Sequence, residues 1–162
     1  MATAMSEIPT RDQIAVEDTW NLTTMYASDA EWQQAAEAIP PLVERAAGFQ
    51  GRLGEGVEPV ADALAAINEL EERLTMLVVY ASLRRDEDTA NTEANARYQQ
   101  AISLAIGAGQ ALAFVQPELL SLPTETFQTL ATADALATYQ HMFDNLDRQR
   151  AHVRSEEVEE VL

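Results

Sequence analysis

Between Glu58 and Arg85, apolar side chains recur every third or fourth residue, at Val60, Leu64, Ile67, Leu70, Leu74, Leu77, Val78 and Ala81. That spacing lines them along one face of a helix. It predicts a core helix of about 25 residues, roughly 38 Å long at 1.5 Å per residue. The loop Asp86-Glu87-Asp88-Thr89-Ala90-Asn91-Thr92 stops the pattern and offers N-cap residues. A second long helix is then expected through Tyr98, Ile102, Ala105, Ile106, Ala108, Leu112 and Val115, antiparallel to the first.

Shorter elements flank this pair. Ser28-Asp29-Ala30-Glu31 reads as a capping box, in which the serine hydroxyl accepts from the third following amide and Glu31 reaches back. The helix it starts keeps Trp32, Ala35, Ala36, Ile39, Leu42, Val43, Ala46 and Ala47 on one face. Pro40-Pro41 removes two amide donors and predicts a kink or break, and Gly48, Gly51, Gly54 and Gly56 end the pattern. Ser121-Leu122-Pro123 opens a short helix around Phe127 and Leu130, with proline in the tolerated first turn. From Ala133-Asp134 another helix should carry Leu136, Tyr139, Met142, Phe143 and Leu146 inward, with Arg148, Arg150 and Arg154 at its negative C-terminal end. Ser155-Glu156-Glu157 begins a further helix whose pattern is still running at Leu162.

Residues 1–27 lack helical periodicity and read as an extended arm docked by Trp20, Leu22 and Tyr26. The fold class is therefore all-α, an antiparallel helical bundle with an extended N-terminal arm. Its organisation is an arm over 1–27, the bundle over 28–154 and the start of a truncated further helix over 155–162.

Composition agrees with this reading. The 162 residues are 47% hydrophobic and 6% aromatic, with six glycines and six prolines, enough to bury a core and poor in strand-forming residues. The formal net charge is -17, and all ten cationic side chains are arginine. Such a field repels phosphate backbones and anionic lipid, so neither nucleic acid nor membrane is an expected partner. With no cysteine, disulfides and cysteine-ligated metals are excluded and a reducing cytoplasm is compatible. Met1–Thr10 has no basic and apolar leader pattern, and runs such as Met76–Ala81 are too short to span a bilayer, so a soluble cytoplasmic chain is expected.

The chemistry of sites is nearly absent. The only histidines are His141 and His152, and Thr138 and Gln149 stand where a Glu-x-x-His motif would need glutamate. On one helix the two imidazoles would lie roughly 16 Å apart, too far to share an ion. His141 is expected to flank the core and His152 to face helix-end carbonyls. No nucleophile–base pair can be nominated. Asp86-Glu87-Asp88 lacks the spacing and glycine of a calcium loop and reads as a solvated loop. Gly54-Glu55-Gly56 and Gly107-Ala108-Gly109 lack the strand and the Gly-Lys-Ser/Thr of a phosphate loop. Gly107 and Gly109 are better read as places where another helix or side chain comes close. Catalytic residues, cofactor-binding residues and metal ligands are accordingly none in this chain.

The order of several short stretches is nevertheless familiar. Trp20-Asn21-Leu22-Thr23-Thr24-Met25-Tyr26 with Ser28-Asp29-Ala30-Glu31-Trp32, then Phe49-Gln50-Gly51-Arg52-Leu53, resembles the opening of oligoendopeptidase F-type peptidases. Tyr80-Ala81 with Asp86-Glu87-Asp88-Thr89-Ala90-Asn91 is similar to that family's next helix and loop. Tyr139-Gln140-His141 with Arg148-Gln149-Arg150-Ala151-His152-Val153-Arg154-Ser155-Glu156-Glu157 is similar to a later stretch, departing at Arg154, where the family favours leucine. The resemblance implies the N-terminal, non-catalytic helical lobe of a zinc metallopeptidase that hydrolyses short oligopeptides in a deep channel, with this lobe forming part of the channel wall. Zinc would be held by a His-Glu-x-x-His motif and a downstream glutamate beyond this region. The implied partner is then the C-terminal catalytic domain of the same polypeptide. Composition alone equally supports a free-standing acidic helical module for binding or adaptor work.

Overall fold

The computed structural model describes Pro9 and residues 11–150. Seven α-helices follow one another among them: α1 (Asp29–Glu37), α2 (Ile39–Ala47), α3 (Val57–Glu87), α4 (Thr92–Ala111), α5 (Val115–Ser121), α6 (Thr124–Ala131) and α7 (Gln140–Arg150). Four 3-10 segments, Arg11–Gln13, Val16–Asp18, Leu22–Thr24 and Asp134–Tyr139, complete the regular structure, with no strand among the described residues. The all-α class is as the sequence dictates.

Two compact units share the long helices. The first comprises Met1–Pro40 with Glu72–Ile106, the second Pro41–Glu71 with Gly107–Leu162.

In the first unit the described residues of the arm carry three isolated 3-10 turns and no α-helix. Asn21 Oδ1 accepts from the Thr23 amide at 3.3 Å, which shapes the turn that sends Leu22 inward. Tyr26 meets Tyr80 edge-on at 5.2 Å between ring centroids. Trp20 was expected to dock as well, but it precedes that turn and stays 68% exposed. The capping box forms with one shift. Ser28 Oγ accepts from the Glu31 amide at 3.2 Å, while Glu31 Oε2 accepts from the amide of Ala27 at 2.6 Å rather than from that of Ser28. The proline break falls at Ala38, which places Pro40 and Pro41 in the first turn of α2, where their missing amides cost nothing.

Helix α3 has 31 residues, or about 46 Å, and runs two residues past Arg85. The connecting loop shrinks to 88–91, and Asn91 Oδ1 caps α4 by accepting from the Glu93 and Ala94 amides at 3.0 Å each. Across this reversal the Arg85 guanidinium lies 4.0 Å from the centroid of the Tyr98 ring.

The second unit packs Leu53, Val60, Phe127, Leu130, Leu136 and Phe143 into one buried cluster, with Phe127 and Phe143 edge-to-face at 5.7 Å. Two sequence expectations change here. The second long helix stops at Ala111, since a helix continued through Pro117 would leave the Ala113 carbonyl without a donor and meet the ring. Starting α5 at Val115 puts Pro117 in a first turn instead. The last helix begins as a 3-10 segment over Asp134–Tyr139 and becomes α-helical only at Gln140. Arg150 serves another helix's negative end, donating to the Leu120 carbonyl at 2.7 Å where α5 finishes. His152, Arg154 and the helix expected at 155–162 lie outside the described residues.

Gly107 and Gly109 also depart from expectation. A Cβ at either would meet nothing within 4 Å, because both stand on an exposed face of α4. Gly54 is the close approach, with Leu122 Cδ2 at 3.1 Å from the position its Cβ would take.

Candidate functional site

The densest polar arrangement lies in the first unit, where α1, α3, α4 and the arm bring charges from distant sequence positions together. Asp29, in the first turn of α1, accepts from Tyr80 Oη at 3.1 Å and pairs with Arg97 Nη2 at 2.7 Å. The position is favourable for a carboxylate, close to the positive end of the helix. One further turn along α3, Arg84 donates to Glu87 Oε2 at 2.6 Å, and Arg11 of the arm donates to Glu87 Oε1 at 3.1 Å. Glu87 is therefore a doubly paired carboxylate, not part of a solvated acidic loop. Arg84 Nε is buried without a hydrogen bond, 4.0 Å from Asp29 Oδ1.

Asp29, Tyr80, Arg84, Glu87 and Arg11 wall a cavity of about 780 Å3 together with Trp20, Leu22 and Tyr26, while Arg97 stands outside its lining. Burial raises the Tyr80 phenol above its usual value of 10.0, and its hydrogen bond to the Asp29 carboxylate raises it further. Burial likewise raises Tyr26, against the opposing pull of Arg73. Both phenols thus stay protonated at neutral pH, and Tyr80 acts as a donor to Asp29. Ser28 Oγ is engaged in capping. The arrangement can hold and orient: its carboxylates Asp29 and Glu87 are each engaged by arginine.

His141 in the second unit does not flank the core. It is exposed, its Nε2 3.2 Å from the side-chain Nδ2 of Asn145 one turn on. Among the described residues no group of three or more His, Cys, Asp or Glu side chains could hold a metal ion. The resemblance places its zinc ligands beyond this region; the carboxylates gathered here are paired with arginine.

A family model described as Oligopeptidase F matches residues 118–162. Oligopeptidase PepF of Bacillus subtilis is 30% identical over 158 residues, which are 97% of this chain and 24% of that protein. An oligoendopeptidase F homolog of Lactococcus lactis is 30% identical over 94% of this chain and 26% of its own length. Among solved structures, a candidate peptidase from Chlamydophila abortus superposes with a TM-score of 0.85 at 25% identity, covering 96% of this chain and 26% of that one. Oligoendopeptidase-F from Enterococcus faecium superposes with a TM-score of 0.66 at 28% identity, over 83% of this chain and 27% of its own.

The fold and these matches define an all-α region like the one that oligoendopeptidase F relatives carry. The chain belongs to the oligoendopeptidase F family, whose N-terminal region it represents. It spans about a quarter of the length of the curated relatives it matches.

Proposed function

We propose that this chain is the N-terminal, non-catalytic helical lobe of an oligoendopeptidase F-like zinc metallopeptidase that hydrolyses short oligopeptides, and that it forms part of the substrate-channel wall. The observation that carries the reading is the near-complete coverage of the chain by Oligopeptidase PepF, against only 24% coverage in the other direction. Zinc and the catalytic residues then belong to the remainder of the same polypeptide, its principal partner. The paired carboxylates and protonated phenols of the first unit support a scaffolding role, with catalytic, cofactor-binding and metal-ligating residues none in this region.

In this reading residues 1–27 are the arm, 28–154 the helical lobe and 155–162 the entry to a further helix. The polypeptide works in the cytoplasm on oligopeptides, without nucleic acid or membrane. Among the described residues no helix is long and apolar enough to cross a membrane.

Expression of the complete reading frame beside residues 1–162 alone tests the proposal with an internally quenched short peptide. The complete polypeptide should cleave it in a chelator-sensitive manner and the 162-residue chain should not. Turnover by the chain alone, or a frame that closes at Leu162, would replace the lobe by a self-contained protein.

A further inference from the structure

Among the described residues the exposed large hydrophobic side chains all fall in one unit, the first. They are Val16, Trp20, Met76, Val79 and Ile106. Met76, Val79 and Leu83 stand three and four residues apart on α3 and so share a face of the helix. Leu83 also lines a cavity of about 400 Å3 with Ile14, Trp20 and Leu22 of the arm. The α3 stripe therefore runs into a cleft whose apolar walls are Ile14, Trp20, Leu22 and Leu83 and whose rim is charged, with Met76 37%, Val79 40% and Trp20 68% exposed. Isolated surface hydrophobes are ordinary, whereas an aligned stripe ending in a cleft is the kind of surface a partner covers.

The charges around the stripe say what fits it. Glu72 precedes Met76 by one turn, and Asp18 and Asp86 line the cleft at the other end. There Arg11 is paired with Glu87 and Asp86 has Arg85 beside it, which leaves Asp18 without an ion pair among the described residues. Acidic groups thus stand at both ends of an apolar strip about 16 Å long between residues 72 and 83 of α3. A second copy of the chain would bring a like-charged surface against it, at a net charge of -17 per chain. The relatives are about four times as long as this chain, so most of each polypeptide lies outside the matched region.

We propose that the Met76–Val79–Leu83 stripe, continued by Trp20, is the seat of a later segment of the same polypeptide. That segment is an amphipathic helix with apolar side chains over the stripe, one of them seated beside Trp20, and arginine or lysine at its ends opposite Glu72 and the Asp18–Asp86 pair. The inference rests on reading the chain as the N-terminal region of a longer peptidase. It adds which surface is covered and by what chemistry.

Hydroxyl-radical footprinting of the 162-residue chain and of the complete polypeptide tests it. Trp20 and Met76 should be modified several-fold more slowly in the complete polypeptide, while the buried Trp32 stays unmodified in both. Val79→Glu in the complete polypeptide should restore modification of Trp20 without exposing Trp32. Equal modification of Trp20 and Met76 in both proteins, with peptide cleavage intact, overturns the docking surface and leaves the functional reading standing. Protection without any peptidase activity does the reverse. Protection that appears in the 162-residue chain as its concentration rises assigns the surface to a second copy and overturns the proposal.

Discussion

The indole Nε1 of Trp32 donates to the main-chain carbonyl of Leu77 at 3.0 Å. The bond joins α1 to the middle of α3 across 45 residues of sequence. It satisfies the one polar atom of a side chain that is only 1% exposed. Arg97 of α4 adds its guanidinium 5.7 Å from the Trp32 ring centroid. Trp32→Ala should therefore destabilise the chain by about 3–5 kcal/mol, and Trp32→Phe by less because most of the packing survives. Urea unfolding measures both. A loss below about 1 kcal/mol for the alanine variant would show that this contact does not hold α1 to α3.

Glu118 of α5 performs a comparable task in the second unit. Its two carboxylate oxygens accept from the Gly51 and Leu53 amides, each at 2.8 Å, and so close the glycine-rich turn after α2. Gly51 adopts a φ of 79° there, a conformation that favours glycine. Glu118→Ala should cost about 1–3 kcal/mol, as expected for losing hydrogen bonds to a charged, half-buried acceptor. The amides of Gly51 and Leu53 should exchange faster with solvent while those of α3 stay protected. Unchanged exchange at both amides would argue that water replaces the carboxylate without loss.

The open surroundings of Gly107 and Gly109 give a prediction of opposite sign. Each lies inside α4 with nothing within 4 Å of an added Cβ. Gly107→Ala and Gly109→Ala should each stabilise the 162-residue chain by about 0.5–1 kcal/mol through helix propensity and a less flexible unfolded chain. Thermal melts of the single and double variants check this. Destabilisation by either variant would mean that its position is covered after all.

Tyr80 and Tyr26 make the first unit sensitive to alkali. Burial raises both phenols above the ordinary value of 10.0. A raised folded value contributes stability that is complete below pH 10 and lost as pH climbs through the folded value. The urea midpoint should therefore fall above pH 10, and Tyr80→Phe should flatten part of that fall. It should also lower stability at neutral pH by removing the 3.1 Å bond to Asp29. A wild-type midpoint that stays level above pH 10 would contradict the argument.

The sequence by itself determined most of the helices, because their signals are local, though not the break between α4 and α5 or the 3-10 lead into α7. The three- and four-residue spacing from Val60 to Ala81 fixes the inner face of α3, Ser28 and Asn91 cap the turns that follow them, and Pro40, Pro41 and Pro123 can stand only where an amide is dispensable. The resemblance to the oligoendopeptidase F family rests on the same linear order of short stretches. Only the tertiary structure decided which of two tryptophans is buried. Trp20 and Trp32 are equally apolar, but Trp32 rides on a helix held against α3, while Trp20 sits on an arm before the turn that sends Leu22 inward. It alone decided the charge pairs as well. Arg11 meets Glu87 across 76 residues, Arg97 meets Asp29, and Arg150 caps a helix other than its own. Periodicity states which face of a helix seeks cover; the partner that provides it depends on chain reversals whose directions no local pattern encodes, and so the polar network around Asp29 became visible only when α1, α3 and α4 were assembled.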